Sequence, residues 1–358
     1  MVCPPVVNKD VQDDFNFPKV ELHLHLDGSI RYDTILDLAQ KKQIDLQGAK
    51  TVDELKKTCC DPRTCNIFLP VVTGDKEAIE RIAYELCEDQ NKNGVVYFEA
   101  RYSPHFLCDT VPHHLSNGEP ATGKLTPREV IQAVKCGLDR GEAKFGVKAR
   151  SILCCIRGFE DWNNEILELA TTMREYGVVA IDVAGCAHGA DEQYEESVVR
   201  VFQEAAKRGI HRTVHAGESG GAKEVCIAIE RMKAQRIGHG YRLILDEDAY
   251  KKHAIEEQTH LEGCPYSSVM TGSVELDWPK HPIGRWVKDG VNFSLSTDDP
   301  TCFDNSMLSE LELAKNEIGL SIHDIWKCQL NAARSCFLPD DEKKPLIQAI
   351  IKAEPKKN

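Results

Sequence analysis

The sequence predicts an α/β fold, a (β/α)8 TIM barrel with additional helices. Three observations carry that reading. Strand-like and helix-like stretches alternate eight times, most repeats having the length of one strand–helix unit. The strand-like stretches are short and apolar, as in VVYFEARY at 95–102 and VVAIDVA at 178–184, which suits strands buried on both faces. Their carboxyl ends collect histidines, acidic residues and glycines, and that end of such a barrel is where chemistry is done.

The leading strand lies in residues 19–30, KVELHLHLDGSI. A helical period follows through Ile35, Leu36, Leu38 and Ala39, ending near Gly48, and Thr51 with Glu54 forms a capping box for the next helix. Residues 59–68, CCDPRTCNIF, read as irregular, because Pro62 opposes a helix through their middle. Helical spacing returns over 77–93 and stops at Gly94, before the second strand at 95–102. Thr126-Pro127-Arg128-Glu129 combines a cap, a proline at the first position and a closing glutamate, starting a helix that runs to Gly146.

The third strand is 148–156, with a helix over 163–176. The fourth is 178–184, ended by Gly185, with a helix over 195–207. The fifth is 211–215 with a helix over 222–233, and the sixth is 236–239 with a helix over 246–257. The seventh is 260–264, a short helix spans 283–288, and the eighth is 291–296. From Met307 the tail is helical, with Asp340 placed as a cap before the last segment. No repeat or low-complexity tract interrupts the pattern. The economical organisation is a single catalytic barrel domain over 1–358, with 1–15 as an N-terminal extension and 306–358 as C-terminal helices packed on the barrel.

The chain of 358 residues carries 44 basic and 57 acidic side chains, a net charge of -13. Nucleic acid and anionic membranes demand a basic face, so neither is expected as a partner. The start, MVCPPVVNKDVQDDF, lacks the basic and apolar regions of a secretory signal, and no apolar run reaches membrane-spanning length. The 15 cysteines are odd in number and show no C-x-x-C spacing, which points to reduced thiols in the cytoplasm rather than a disulfide framework or zinc ribbon.

Side chains alternate across a strand, so His23 and His25 share one face while Leu22, Leu24 and Leu26 anchor the other. Two imidazoles on one face are either satisfied core histidines or half of a divalent-metal site. Other strand ends decide between them. They carry Asp27 and Gly28, Asp182 and Gly185, His215-Ala216-Gly217-Glu218, His239 between Gly238 and Gly240, and Thr297-Asp298-Asp299-Pro300. Burying polar residues at five strand ends is costly without a purpose. His23, His25, His215 and Asp298 form a zinc shell with room for water, whose pKa such a metal lowers to roughly 7. Glu218 could deliver a proton, and His239 could orient or deprotonate the water. Metal-assisted hydrolysis follows from these residues; the substrate does not.

The stretches KVELHLHLDGSI, VKARSILCC, HRTVHAGE, IGHGY and STDDP resemble the adenosine deaminase family, a branch of the metal-dependent amidohydrolase barrels, over residues 18–338. The resemblance implies one Zn2+ per chain held by His23, His25, His215 and Asp298, and deamination of adenosine and 2′-deoxyadenosine to the inosine nucleosides and ammonia in purine metabolism. It implies catalytic roles for Glu218, which would protonate N1 of the purine, for His239, which would hold the attacking hydroxide at C6, and for Asp298. It further implies that His25 lies in the substrate pocket, that Asp299 bonds N7, that the Gly185 N–H bonds N3, and that Asp27 holds the ribose 5′-hydroxyl.

Two departures stand out. CCDPRTCNIFLP replaces an apolar helix that covers the nucleoside in the family, and Cys186 replaces an acidic residue after Gly185. The first bears on affinity and lid closure rather than on metal chemistry. The expectation is a cytoplasmic monomer acting on a nucleoside. Open rivals are a barrel hydrolase for N6-substituted or phosphorylated adenine nucleosides, and a catalytically weak adenosine-binding protein with a cell-surface protein partner.

Overall fold

A computed structural model describes residues 14–59, 65–111, 123–185 and 193–356. Eight parallel strands stand in sequence order: β1 (Lys19–His25), β2 (Val95–Tyr102), β3 (Lys148–Ile156), β4 (Val178–Ala184), β5 (His211–Ala216), β6 (Arg236–His239), β7 (His260–Gly263) and β8 (Phe293–Leu295). Parallel neighbours require a crossover, and the intervening helices supply it. The sheet curls back on itself at the seam between β8 and β1. There Leu24 pairs with Asp298, the His25 N–H donates to the Asp298 carbonyl at 2.9 Å, and the Asp298 N–H donates to the His23 carbonyl at 3.1 Å. The segments that close the barrel are therefore those that hold His23, His25 and Asp298, singled out in the sequence.

The strands bury both faces, as their apolar runs predict. Leu22, Leu24 and Leu26 are fully buried, and the alternate residue His23 is also wholly covered. Helix Val52–Thr58 starts with the expected Thr51–Glu54 capping box, and helix Pro127–Phe145 with that of Thr126 and Glu129. Helix Ile322–Ser335 lies against β8 and β1, where Gln329 Oε1 accepts from the Val20 N–H at 2.8 Å. Trp326 Nε1 ties it to the last helix, Asp340–Lys352, through the Ile350 carbonyl at 2.9 Å.

Several boundaries differ from the sequence pattern. The helix expected over 246–257 is an α-turn, Glu247–Tyr250, capped by Asp246 and followed by a π-helical Lys251–Glu256. The helix expected to reach Lys233 ends at Glu230. The eighth strand stops at Leu295 because Thr297 leaves the ladder and gives its N–H and hydroxyl to Glu21 Oε1, at 2.8 and 2.7 Å. Asp340 is not a cap: Pro339 holds that position, and Asp340, Asp341 and Glu342 form an acidic first turn that suits the helix dipole. Short helices open after β2 (Pro104–Leu107), β7 (Pro265–Met270) and β8 (Pro300–Phe303), too brief to show a periodicity. Of the irregular 59–68 stretch, Cys65–Phe68 forms one helical turn; 60–64 and Cys186 lie outside the described residues. Most of the described cysteine side chains are buried. Among the described residues no helix is long and apolar enough to cross a membrane.

Candidate metal centre and active site

Two strand ends and one loop converge at the mouth of the barrel. β1 brings His23 and His25, β5 brings His215, and the segment leaving β8 brings Asp298; one ligand atom from each lies within 4.8 Å of the others. Asp298 Oδ1 is 3.2 Å from His23 Nε2 and 3.3 Å from His25 Nε2, while His25 Nε2 and His215 Nε2 are 3.2 Å apart.

The far sides of the rings are anchored. His23 Nδ1 meets Glu262 Oε2 at 2.7 Å, so its proton sits there and Nε2 presents a lone pair to the cluster. His215 Nδ1 faces Asp182 Oδ2 at 2.9 Å, a contact too bent to count as a hydrogen bond. Ser267 Oγ donates to Asp298 Oδ2 at 2.7 Å, leaving Oδ1 turned to the imidazoles.

This arrangement fits a divalent cation. His23 Nε2 is fully buried with no hydrogen-bond partner among the described residues, which is costly for a polar nitrogen unless a metal takes its lone pair. The donors, imidazole nitrogens and one carboxylate, are the set a catalytic zinc takes. Local charge agrees. Burial opposes protonation of His25, yet Asp299, Asp298 and Asp27 together raise it to about 9, the mark of a site short of positive charge. Burial pushes His215 down to about 3 despite Asp182, leaving it a neutral ligand. Asp298 is held well below the usual carboxylate range, against its burial, by His23 and His25.

Beside the cluster His239 Nε2 lies 3.6 Å from Glu218 Oε2 and 3.9 Å from Asp298 Oδ2. Burial lowers the His239 pKa, so the ring is neutral and able to accept a proton. Both His239 (φ 67°) and Asp298 (φ 70°) adopt left-handed backbone, a strain of about 1–3 kcal/mol each that functional sites often hold. Asp27 Oδ1 is 4.0 Å from His25 Nδ1. Asp299 packs its carboxylate against the bare Cα of Gly28, and burial beside Asp298 and Asp27 raises its pKa to about 7. Gly185, at the end of β4 with φ +93°, is solvent-exposed, and its carbonyl accepts from Arg157 Nη1 at 2.9 Å. The described residues singled out as ligands, catalytic groups or substrate contacts thus stand at or just beyond the carboxyl ends of their strands.

The sequence pattern does not single out Glu262, Ser267 or Arg101, and it notes Asp182 without a partner. A charged residue inside an apolar strand is the available signal, present in VVYFEARY and HLEG. Cys264 is a further neighbour, its sulfur grouped with His23, His239 and Asp298.

The family model for adenosine deaminase matches residues 18–353, from the edge of β1 past the last helix. The adenosine deaminase of Danio rerio is 43% identical over 348 residues, covering 95% of this chain and 96% of the relative. The chain belongs to the adenosine deaminase family. The Bos taurus adenosine deaminase, also 43% identical, covers 95% of each chain. Among solved structures, an adenine deaminase from Arthrobacter aurescens superposes with a TM-score of 0.81 over 94% of this chain and 98% of its own, at 24% identity, a likeness of fold. The adenosine deaminase family is thereby joined to the (β/α)8 architecture.

Proposed function

We propose that this chain is a zinc-dependent aminohydrolase that converts adenosine and 2′-deoxyadenosine to inosine and 2′-deoxyinosine with release of ammonia. The observation that carries it is the convergence of His23, His25, His215 and Asp298 beside Glu218 and His239 in a member of the adenosine deaminase family. Those four side chains would hold one Zn2+, whose Lewis acidity makes water a competent nucleophile at neutral pH.

The protein's own groups then divide the work. Glu218 gives a proton to N1 of the purine, which drains electrons from C6 and opens it to attack by water. His239, neutral and 3.6 Å from Glu218, takes the proton that the water sheds. Collapse at C6 breaks the C–N bond: the proton held by His239 passes to the amino group, which leaves as ammonia, and the C6 hydroxyl proton returns to Glu218 as the carbonyl forms. Asp299 bonds N7, a lone-pair acceptor, and therefore has to bring a proton; its raised pKa lets it do so. His25 lines the same pocket, the Gly185 N–H bonds N3, and Asp27 accepts from the 5′-hydroxyl. A carboxylate in that place repels a 5′-phosphate, which selects nucleosides over nucleotides. The same reading takes the chain as a single catalytic domain, a cytoplasmic monomer of purine metabolism with one Zn2+.

A substrate panel tests this. Adenosine and 2′-deoxyadenosine should lose their ultraviolet absorbance with stoichiometric ammonia, whereas AMP and N6-methyladenosine should react at least about 100-fold more slowly in kcat/KM, a difference near 2.7 kcal/mol. Comparable rates on AMP would refute the role of Asp27, and no turnover of adenosine would refute the assignment.

A further inference from the structure

Beneath the metal ligands lies a buried cation with an unusual set of partners. Arg101, on β2, is fully buried. Its Nη1 donates to Asp182 Oδ2 at 2.8 Å, its Nη2 to Glu262 Oε2 at 2.7 Å, and the same Nη2 to the Leu22 carbonyl at 2.6 Å. Asp182 Oδ2 is the oxygen that faces His215, and Glu262 Oε2 is the oxygen that holds His23. Leu22 is the residue before His23. All three contacts adjoin a metal ligand.

We propose that Arg101 is a positioning residue whose single guanidinium fixes the spacing between the His23 and His215 imidazoles. The inference rests on the metal reading above. A guanidinium is planar, so its two terminal nitrogens point along fixed directions and hold two carboxylates at one separation. An ammonium can also reach two acceptors, but its donors turn freely about one nitrogen and fix no separation between them. Charge neutralisation alone does not account for the arrangement, because Arg236 supplies it too. That residue pairs Nε with Glu262 Oε1 at 2.7 Å and Nη2 with Glu99 Oε2 at 2.6 Å, turned away from the histidines, and lies over the Phe337 ring at 3.8 Å. Arg236 is therefore a matched control, equally buried and sharing Glu262 but touching no oxygen that meets a ligand.

The experiment compares Arg101→Lys with Arg236→Lys in the full chain, stripped of metal and titrated with Zn2+ against a chelating indicator. The visible spectrum of the Co2+-loaded proteins serves as a second readout. Arg101→Lys should bind Zn2+ about 10- to 100-fold more weakly and shift the Co2+ bands, while Arg236→Lys stays within about threefold of the parent. Parent-like affinity and spectrum in Arg101→Lys, or equal losses in both variants, would overturn the proposal. Should Arg101→Lys fail to fold, Asp182→Asn and Glu262→Gln decide, singly and combined. If Arg101 couples the two anchors, the combined loss of Zn2+ affinity falls short of the product of the single losses by about tenfold; independent losses would overturn the coupling. A parent that binds no Zn2+ would instead sink the metal reading itself.

Discussion

Gly238→Ala is the sharpest perturbation the geometry offers. Gly238 lies on β6 in register with His215 on β5 and with Glu262 on β7, and the His23 ring fills the place of its missing side chain. A Cβ there would stand 2.8 Å from His23 Cε1 and 3.2 Å from His23 Nδ1. Carbon pairs settle near ~3.5–4.0 Å, so the ring has to retreat by roughly 0.7 Å or more. Zinc–nitrogen bonds tolerate only about 0.2 Å around ~2.0–2.1 Å, so a displacement of that size removes His23 as an effective ligand. A misplacement near 1 Å costs about 100-fold in rate, or ~2.7 kcal/mol of transition-state stabilisation, and overpacking costs a further ~1–3 kcal/mol of stability. Zinc content after dialysis, with adenosine turnover and thermal melting, measures all three. A variant with the parent's zinc content and kcat/KM within threefold would refute the placement of His23 against the metal.

Other substitutions isolate single roles. Glu218→Gln should keep its zinc and bind a purine nucleoside with parent-like affinity while kcat falls by about 100-fold or more, since only proton delivery is lost; a near-normal kcat would reassign the acid. Gly28→Ala would put a Cβ 1.7 Å from Asp299 Oδ1, expelling that carboxylate from the pocket. Adenosine kcat/KM should drop while zinc content holds, and unchanged kinetics would remove Asp299 from purine binding. Lys19, buried with its ammonium on the Phe15 and Phe17 carbonyls, has its pKa lowered from 10.5 to about 8 by burial. The unfolded chain therefore holds the extra proton between those values, so the lysine's contribution is fullest above 10.5 and is lost as pH falls through about 8. Urea melts of parent and Lys19→Met should show the parent gaining on the variant as pH rises across that window; a constant difference would contradict the burial of that ammonium.

The fold was legible because several strands are short apolar runs and two helices announce their starts. Thr51–Glu54 and Thr126–Glu129 are capping boxes in sequence and in structure alike. The candidate ligand cluster was legible because alternation puts His23 and His25 on one face and because polar residues crowd the strand ends. What sequence hides is long-range pairing. Arg101 and Glu262 are 161 residues apart, and within one sequence each is only a charge in an apolar strand. Backbone detail is hidden for another reason: the π-helical Lys251–Glu256 keeps a helical period in sequence while changing its hydrogen bonds. Pro339 takes the cap position from Asp340 because proline fixes the extended entry to the helix.

The central claim is that four side chains from distant parts of the chain hold one zinc ion on which adenosine deamination depends. Zinc content and adenosine turnover should be followed together through chelation and graded return of Zn2+. The account predicts that activity vanishes with the metal and returns in proportion to it, saturating at one Zn2+ per chain. Full activity in the metal-free protein, or saturation at a different stoichiometry, would contradict it.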